Sequence, residues 1–185
     1  MTAGKSNSHI RKLFKVFGLP VLFMGGAVFI FFFLSPFNNA KSSTSEAEVV
    51  DFSLPSIDGS QRNLSEFRGK WVVVNYWATW CPPCLEEIPE LVNFHEEHKD
   101  KNAVVIGVNF EDIGIPQLKT FVEDYFMSYP ILHSKPAARS DLGLISGLPT
   151  SFLISPDGIL VAKQTGPITA KMINDFINEY GSGKR

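Results

Sequence analysis

The sequence predicts an α/β domain, a central mixed sheet flanked by helices, carried behind a single membrane-spanning helix. Three observations predict it. Strand and helix patterns follow one another as β-β, then β-α-β-α, then β-β-α between residues 49 and 180. Two of the strand patterns, Trp71–Trp77 (WVVVNYW) and Ala103–Phe110 (AVVIGVNF), are almost continuously apolar, as strands buried on both faces are. A run of 19 residues without a charge, Val16–Leu34, precedes them all. No internal repeat is visible.

Val16–Leu34 reads VFGLPVLFMGGAVFIFFFL. At about 1.5 Å per residue, a helix of that length spans about 28 Å, close to the hydrocarbon thickness of a bilayer. Lys5, Arg11, Lys12 and Lys15 precede it, and only Lys41 follows closely before Glu46, Glu48 and Asp51. The positive-inside rule then makes residues 1–15 a basic cytoplasmic tail and puts the rest across the membrane. A run this apolar has no polar face to show water, so it does not read as a core helix. A cleaved signal peptide competes. The run exceeds the about 7–15 apolar residues usual there, however, and Asn38-Asn39-Ala40 is a poor cleavage site. An uncleaved signal anchor at residues 16–34 is expected, embedded in the lipid bilayer. No cysteine stands directly after the run, the first being Cys81, which excludes a lipoprotein anchor. Pro20 and Gly25-Gly26 weaken the helix locally, which membrane helices tolerate. Residues 35–47 are polar and Ser/Asn-rich and read as a flexible linker. Residues 48–182 are left for the folded domain.

The net charge of −2 hides an asymmetry. The first 40 residues hold four of the 17 Lys/Arg and none of the 19 Asp/Glu, so the remainder has 13 bases against 19 acids, a balance of −6. No basic stripe is left for nucleic acid.

In the domain, Val49–Leu54 is a short strand, Ser56-Ile57-Asp58-Gly59 a turn with a hairpin signal, and Gln61–Leu64 the return strand. Leu64–Lys70 is a brief helical turn stopped by Gly69. After the strand 71–77, Leu85–His98 places Leu85, Ile88, Leu91, Val92 and Phe94 on one helical face. Pro89 inside it is expected to kink the helix. Ile115–Met127 is a second helix with Pro116 in its first turn, where proline is favoured. Tyr129–Leu132 is a short extended piece and Ala137–Ile145 a short helix. Thr150–Ile154 and Ile159–Gln164 are strands joined through Ser155-Pro156-Asp157-Gly158. Thr169–Tyr180 is an amphipathic helix with Met172, Ile173, Phe176, Ile177 and Tyr180 on its apolar side.

Cys81 and Cys84 are the only cysteines of the chain, at the junction between a buried strand and a helix. Two are too few for a disulfide scaffold. No second C-x-x-C and no His pair at finger spacing completes a zinc site, so no metal and no cofactor are expected. A redox dithiol is the leading reading; a permanent disulfide and a two-thiol copper site are the others. The thiolate is the attacking species. A cysteine of pKa about 8.5 is about 3% ionised at pH 7, and one of pKa about 7 is half ionised. Cys81 stands where the helix begins, so free N–H groups and the positive dipole end favour a negative sulfur. Pro82 and Pro83 cannot donate, which leaves the N–H groups of Cys84 and Leu85. Cys84, further in, is expected to be more buried and protonated. Cys81 then attacks a partner disulfide, and Cys84 resolves the mixed disulfide.

Gly147-Leu148-Pro149-Thr150 precedes a strand, where Pro149 is either an ordinary edge device or a cis-proline. Trp77 is expected in the core. Trp80, beside Cys81, offers contact area to a partner. His95 and His98, among Glu96 and Glu97, are expected on a solvated helix end rather than as a metal pair.

W-C-P-P-C after a buried strand, then a helix, G-L-P-T, F-L-I and a P-D-G turn, resembles the thioredoxin superfamily. The opening D-F-S-L-P-S-I-D-G and L-S-E-F-R-G-K-W-V-V-V-N-Y-W-A-T-W-C-P-P-C are most similar to its membrane-anchored TlpA/ResA-like branch, with the CcmG/DsbE-like cytochrome c maturation thioredoxins next. The resemblance runs from about Val49 to Tyr180. It implies a thioredoxin fold with an N-terminal β-hairpin and a central insertion, and Pro149 as a cis-proline facing a redox disulfide between Cys81 and Cys84. In cytoplasmic thioredoxin the position matching Asn75 is a buried aspartate that accepts the proton of the second cysteine. Asn75 cannot do so. In the TlpA/ResA-like branch a glutamate three residues after the second cysteine is associated with the active site, and Glu87 stands there. Glu87 is therefore expected to be buried, with a raised pKa, and to shuttle the proton of Cys84. Otherwise it belongs to a solvated acidic face with Glu86 and Glu90.

The resemblance implies a protein thiol-disulfide oxidoreductase in the bacterial inner membrane, with its catalytic domain on the periplasmic side. Protein disulfides or thiols are its substrates, and a membrane thiol-disulfide protein is its electron donor. The reducing direction is expected, for example in keeping cysteines reduced before haem attachment. An oxidant or isomerase of the same fold, and a non-catalytic metal-delivery or partner-binding module, are the rivals. A peroxidase fits less well, because peroxiredoxins place a lone attacking cysteine in a different context.

Overall fold

A computed structural model describes residues 48–137 and 139–183, within the unit Thr44–Arg185. The expected anchor at 16–34 and linker at 35–47 lie outside the described residues. Among the described residues no helix is long and apolar enough to cross a membrane.

The sheet is built outward from β3, Trp71–Trp77, whose seven residues are all buried. It pairs on one side with β4, Ala103–Phe110, in parallel, and on the other with β8, Thr150–Ile154, antiparallel. β5, Ile131–Ser134, extends the sheet beyond β4, and β9, Leu160–Thr165, beyond β8, giving the order β5-β4-β3-β8-β9. A strand with neighbours on both edges and cover on both faces needs apolar side chains in either direction, which is why WVVVNYW shows no alternation.

Alternation nevertheless sorts β3 between two cores. Trp71, Val73 and Trp77 pack with Ile88, Leu91 and Phe94 of helix α1, Pro82–His98. Leu118 of α2 (Ile115–Asp124) and Ile173 of α3 (Ala170–Gly181) join that cluster. Val72, Val74 and Tyr76 point the other way, with Phe52, Leu64, Leu142 and Ile145. Asn75, the polar break in β3, therefore faces α1.

The second face is covered without an α-helix. A hairpin of β1 (Ser53–Pro55) and β2 (Gln61–Asn63) runs into a 3-10 turn at Leu64–Phe67. The helix expected over Ala137–Ile145 does not form. A second hairpin stands there, β6 (Arg139–Ser140) against β7 (Gly143–Leu144). Ser140 and Gly143 decide it. The Ser140 hydroxyl donates to the Gly143 carbonyl and accepts from the Leu142 N–H, and Gly143 adopts φ +134, which a helix does not contain.

Smaller differences lie at element ends. α1 begins three residues before the expected Leu85, because its first two positions are prolines, which fit where no N–H is needed. The first strand shrinks to Ser53–Pro55, with Val49 held by an isolated bridge to Ile159. In α3, capped by the Thr169 hydroxyl accepting from Met172 N–H at 3.2 Å, Ile173 is buried while Met172 is exposed. Tyr180 lies edge-on to Trp71. His95 is buried rather than solvated. Its Nδ1 accepts the Val105 N–H at 3.1 Å, and burial lowers its pKa, which keeps the ring neutral.

Candidate active site

The redox loop hangs from the C-terminal end of β3. Ala78, Thr79 and Trp80 lead to Cys81, which is the N-cap of α1 in extended conformation. Cys81 and Cys84 form a disulfide. Both are buried, at 3% and 1% exposure, so the expected contrast between them is slight. Trp80 beside them is 67% exposed and Pro82 is also at the surface.

The free donors expected near the sulfur are not free. The N–H groups of Cys84 and Leu85 both donate to the Cys81 carbonyl, at 3.0 and 3.2 Å. Prolines at the first two helical positions let the turn close on that carbonyl. What remains for a Cys81 thiolate is the positive end of a 17-residue helix.

Pro149 lies at the same end of the sheet. Tyr76 pairs with Thr150 across the antiparallel β3–β8 ladder, which puts Pro149 level with Trp77, where the redox loop departs. The Leu148–Pro149 peptide is cis. Pro149 is buried, and its carbonyl accepts the Gly166 N–H at 2.9 Å.

Beneath the disulfide a polar network crosses the core. Glu87 lies one turn along α1 from Cys84, on the stripe Cys84, Ile88, Leu91, Phe94 that faces the sheet. It is 2% exposed, whereas Glu86 is at the surface. Its Oε1 accepts from Asn75 Nδ2 at 2.7 Å and its Oε2 from the Ile168 N–H at 2.9 Å. Asn75 Nδ2 also donates to Ser151 Oγ at 2.9 Å, its register partner on β8. Burial pushes the Glu87 carboxyl up to about 7, against the two hydrogen bonds that favour its charge. A carboxyl poised there is half protonated at neutral pH, so it can take or give a proton with little driving force.

Sequence reasoning missed the Ile168 N–H and Ser151, since neither a backbone donor nor a lone serine in a strand carries a motif. It also missed Glu111, which accepts from Thr79 in the redox loop. Among the described residues no cluster of His, Cys, Asp or Glu could hold a metal ion.

Residues 46–163 match the AhpC/TSA family. The thiol-disulfide oxidoreductase ResA of Bacillus subtilis is 33% identical over 145 residues, 78% of this chain and 80% of the relative. Solved structures share the fold, and two serve as examples. One is a thioredoxin family thiol:disulfide interchange protein from Chlorobium tepidum, with a TM-score of 0.63 and 27% identity, covering 70% of this chain and 92% of that one. The other is a DsbF homologue from Corynebacterium diphtheriae, with a TM-score of 0.64 and 26% identity, covering 74% and 88%.

Proposed function

Because the chain belongs to the AhpC/TSA thioredoxin-like family and is a thiol-disulfide oxidoreductase of the ResA type, we propose that it is a membrane-tethered reductant of protein disulfides on the outer side of the bacterial inner membrane. The observation that carries the chemistry is a disulfide at a helix N-terminus with Glu87, buried and poised near neutrality, one turn further on.

In the reduced protein, the Cys81 thiolate attacks one sulfur of a partner disulfide. A bond forms between Cys81 and that sulfur, and the other partner sulfur leaves as a thiolate. The Cys84 thiol gives its proton to Glu87 and attacks the Cys81 sulfur. The Cys81–Cys84 disulfide closes and the second partner sulfur leaves as a thiolate, with the proton of Cys84 held on Glu87. The partner gains two electrons, and a membrane thiol-disulfide donor restores the dithiol. Asn75 holds no proton for this exchange; its amide keeps Glu87 turned into the network. Trp80 and the segment around Pro149 form the surface that meets the partner.

Tethering rests on residues 16–34 and the basic residues before them. The reducing direction, and a place in keeping cysteines reduced before haem attachment, rest on the similarity to the TlpA/ResA-like branch. Cys84→Ala in cells tests the reading, since it removes the resolving thiol. Mixed disulfides through Cys81 should accumulate and name the partners. If the trapped set matches that of Cys81→Ala, Cys81 is not the attacking thiol. An equilibrium with glutathione fixes the direction: a potential above that of the compartment makes the protein an oxidant.

A further inference from the structure

Glu111 has no part in that proton path, yet among the described residues its carboxylate is tied directly to the redox loop through Thr79. It follows β4 and is 8% exposed. Three donors converge on its carboxylate. The Thr79 N–H and Asn109 Nδ2 reach Oε1, each at 2.8 Å, and the Thr79 hydroxyl donates to Oε2 at 3.1 Å. Its backbone carbonyl lies 2.9 Å from His133 Nε2 on β5.

Strand register explains the meeting. Trp77 pairs with Asn109 in the parallel β3–β4 ladder, so two steps past each partner stand Thr79 and Glu111. Thr79 is the middle residue of the link between β3 and Cys81. A backbone N–H and a hydroxyl from one residue, held on the two oxygens of one carboxylate, fix both where that residue sits and how it is turned. Hydrogen bonds to an ionised acceptor are roughly twice as strong as neutral ones. Trp80, the next residue, is exposed, so the link is anchored from the Glu111 side.

We propose that Glu111 is a positioning residue for the thiol-disulfide reaction. By holding Thr79, its carboxylate sets the attitude in which Cys81 meets a partner disulfide. It touches none of the reacting sulfurs and takes no proton from them. Attack on a disulfide runs in line with the bond that breaks, and a misplacement of about 1 Å in such a reaction costs up to about a hundredfold in rate. The inference rests on Cys81 being the attacking thiol.

The test uses the full chain in a Cys84→Ser background, so that Cys81 alone reacts, with a small aromatic disulfide as probe from pH 5 to 9. Glu111→Ala should slow the plateau rate about tenfold, and Thr79→Ala about threefold. The double variant should be no slower than Glu111→Ala, because Glu111→Ala already removes the hydroxyl bond that Thr79→Ala removes. Glu111→Gln, which keeps an oxygen for the Thr79 N–H, should recover to within about threefold of the parent. Melting temperatures are recorded for each, and Thr79→Ala carries the test if Glu111→Ala does not fold. A Glu111→Ala rate equal to the parent at every pH, with a lowered melting temperature, overturns the proposal and leaves Glu111 a structural residue. Additive losses in the double variant, or no recovery with glutamine, overturn it too. A parent that does not react at all refutes the role of Cys81 instead.

Discussion

Replacing Glu87 by glutamine should change how stability depends on pH, and the size follows from the site. The carboxyl is raised from 4.5 to about 7 by burial. A raised folded pKa means the native state binds the proton more tightly than the unfolded chain. Its contribution is therefore fully present below about 4.5 and is lost as pH rises through 7. Integrating between pH 5 and pH 8 gives a loss of about 2.5 kcal/mol in the wild type from this group alone. Glutamine does not titrate. It keeps one oxygen for either Asn75 Nδ2 or the Ile168 N–H and sets its own NH2 against the other donor, at a constant cost of about 1–3 kcal/mol. His95 changes stability in the opposite sense, since its lowered pKa adds stability as pH rises. It is common to both proteins and cancels. Urea unfolding of the oxidised proteins, followed by fluorescence of buried Trp71 and Trp77, measures the difference at pH 5, 6, 7 and 8. The gap between wild type and Glu87→Gln should move by about 2.5 kcal/mol in favour of the variant. A gap constant across that range would refute the account of Glu87 as a buried, neutral-range carboxyl.

Asn75→Leu removes a donor to the Glu87 carboxylate, so the inflection in the pH profile of disulfide exchange should shift upward by about one unit; a downward shift or none contradicts the hydrogen bond seen here. Gly107→Ala should destabilise by about 1–3 kcal/mol in thermal unfolding, because its Cβ would meet Ile131 Cδ1 and Tyr129 Cε2 at 2.9 Å in the packed core. Thr169→Ala should lose about 1 kcal/mol by the same measurement, through the N-cap bond to Met172. Alkaline phosphatase fused after Arg185 should be active in a bacterial host and a fused fluorescent protein dark; the reverse pattern would place the domain in the cytoplasm.

What was legible in the sequence followed burial. Trp71–Trp77, Ala103–Phe110 and Thr150–Ile154 were predicted to the residue, because strands enclosed on both faces have little freedom in composition. The 137–145 segment misled because alanine favours helix in isolation, while Ser140 and Gly143 close a turn through side-chain and φ effects that propensity does not register. At the site, the two thiols stood out as the chain's only cysteines, and the polar break at Asn75 stood out in an apolar strand. Glu87 is singled out from Glu86 only by the resemblance to the TlpA/ResA-like branch, and the structure places it on the stripe of Cys84, Leu91 and Phe94. Glu111 was not legible. Its link to Thr79 exists only once the parallel register of β3 and β4 is known, and no local pattern encodes a register between segments some thirty residues apart.

The bond from Ile168 to Glu87 has a use of its own. The Ile168 amide belongs to the segment between β9 and α3, distant in sequence from both cysteines, yet its proton points at the carboxylate oxygen that gains or loses charge. In a nitrogen–proton correlation spectrum that single resonance should travel as the carboxyl ionises. It offers a spectroscopic gauge of Glu87 that leaves Cys81 and Cys84 unlabelled and free to turn over while it is read.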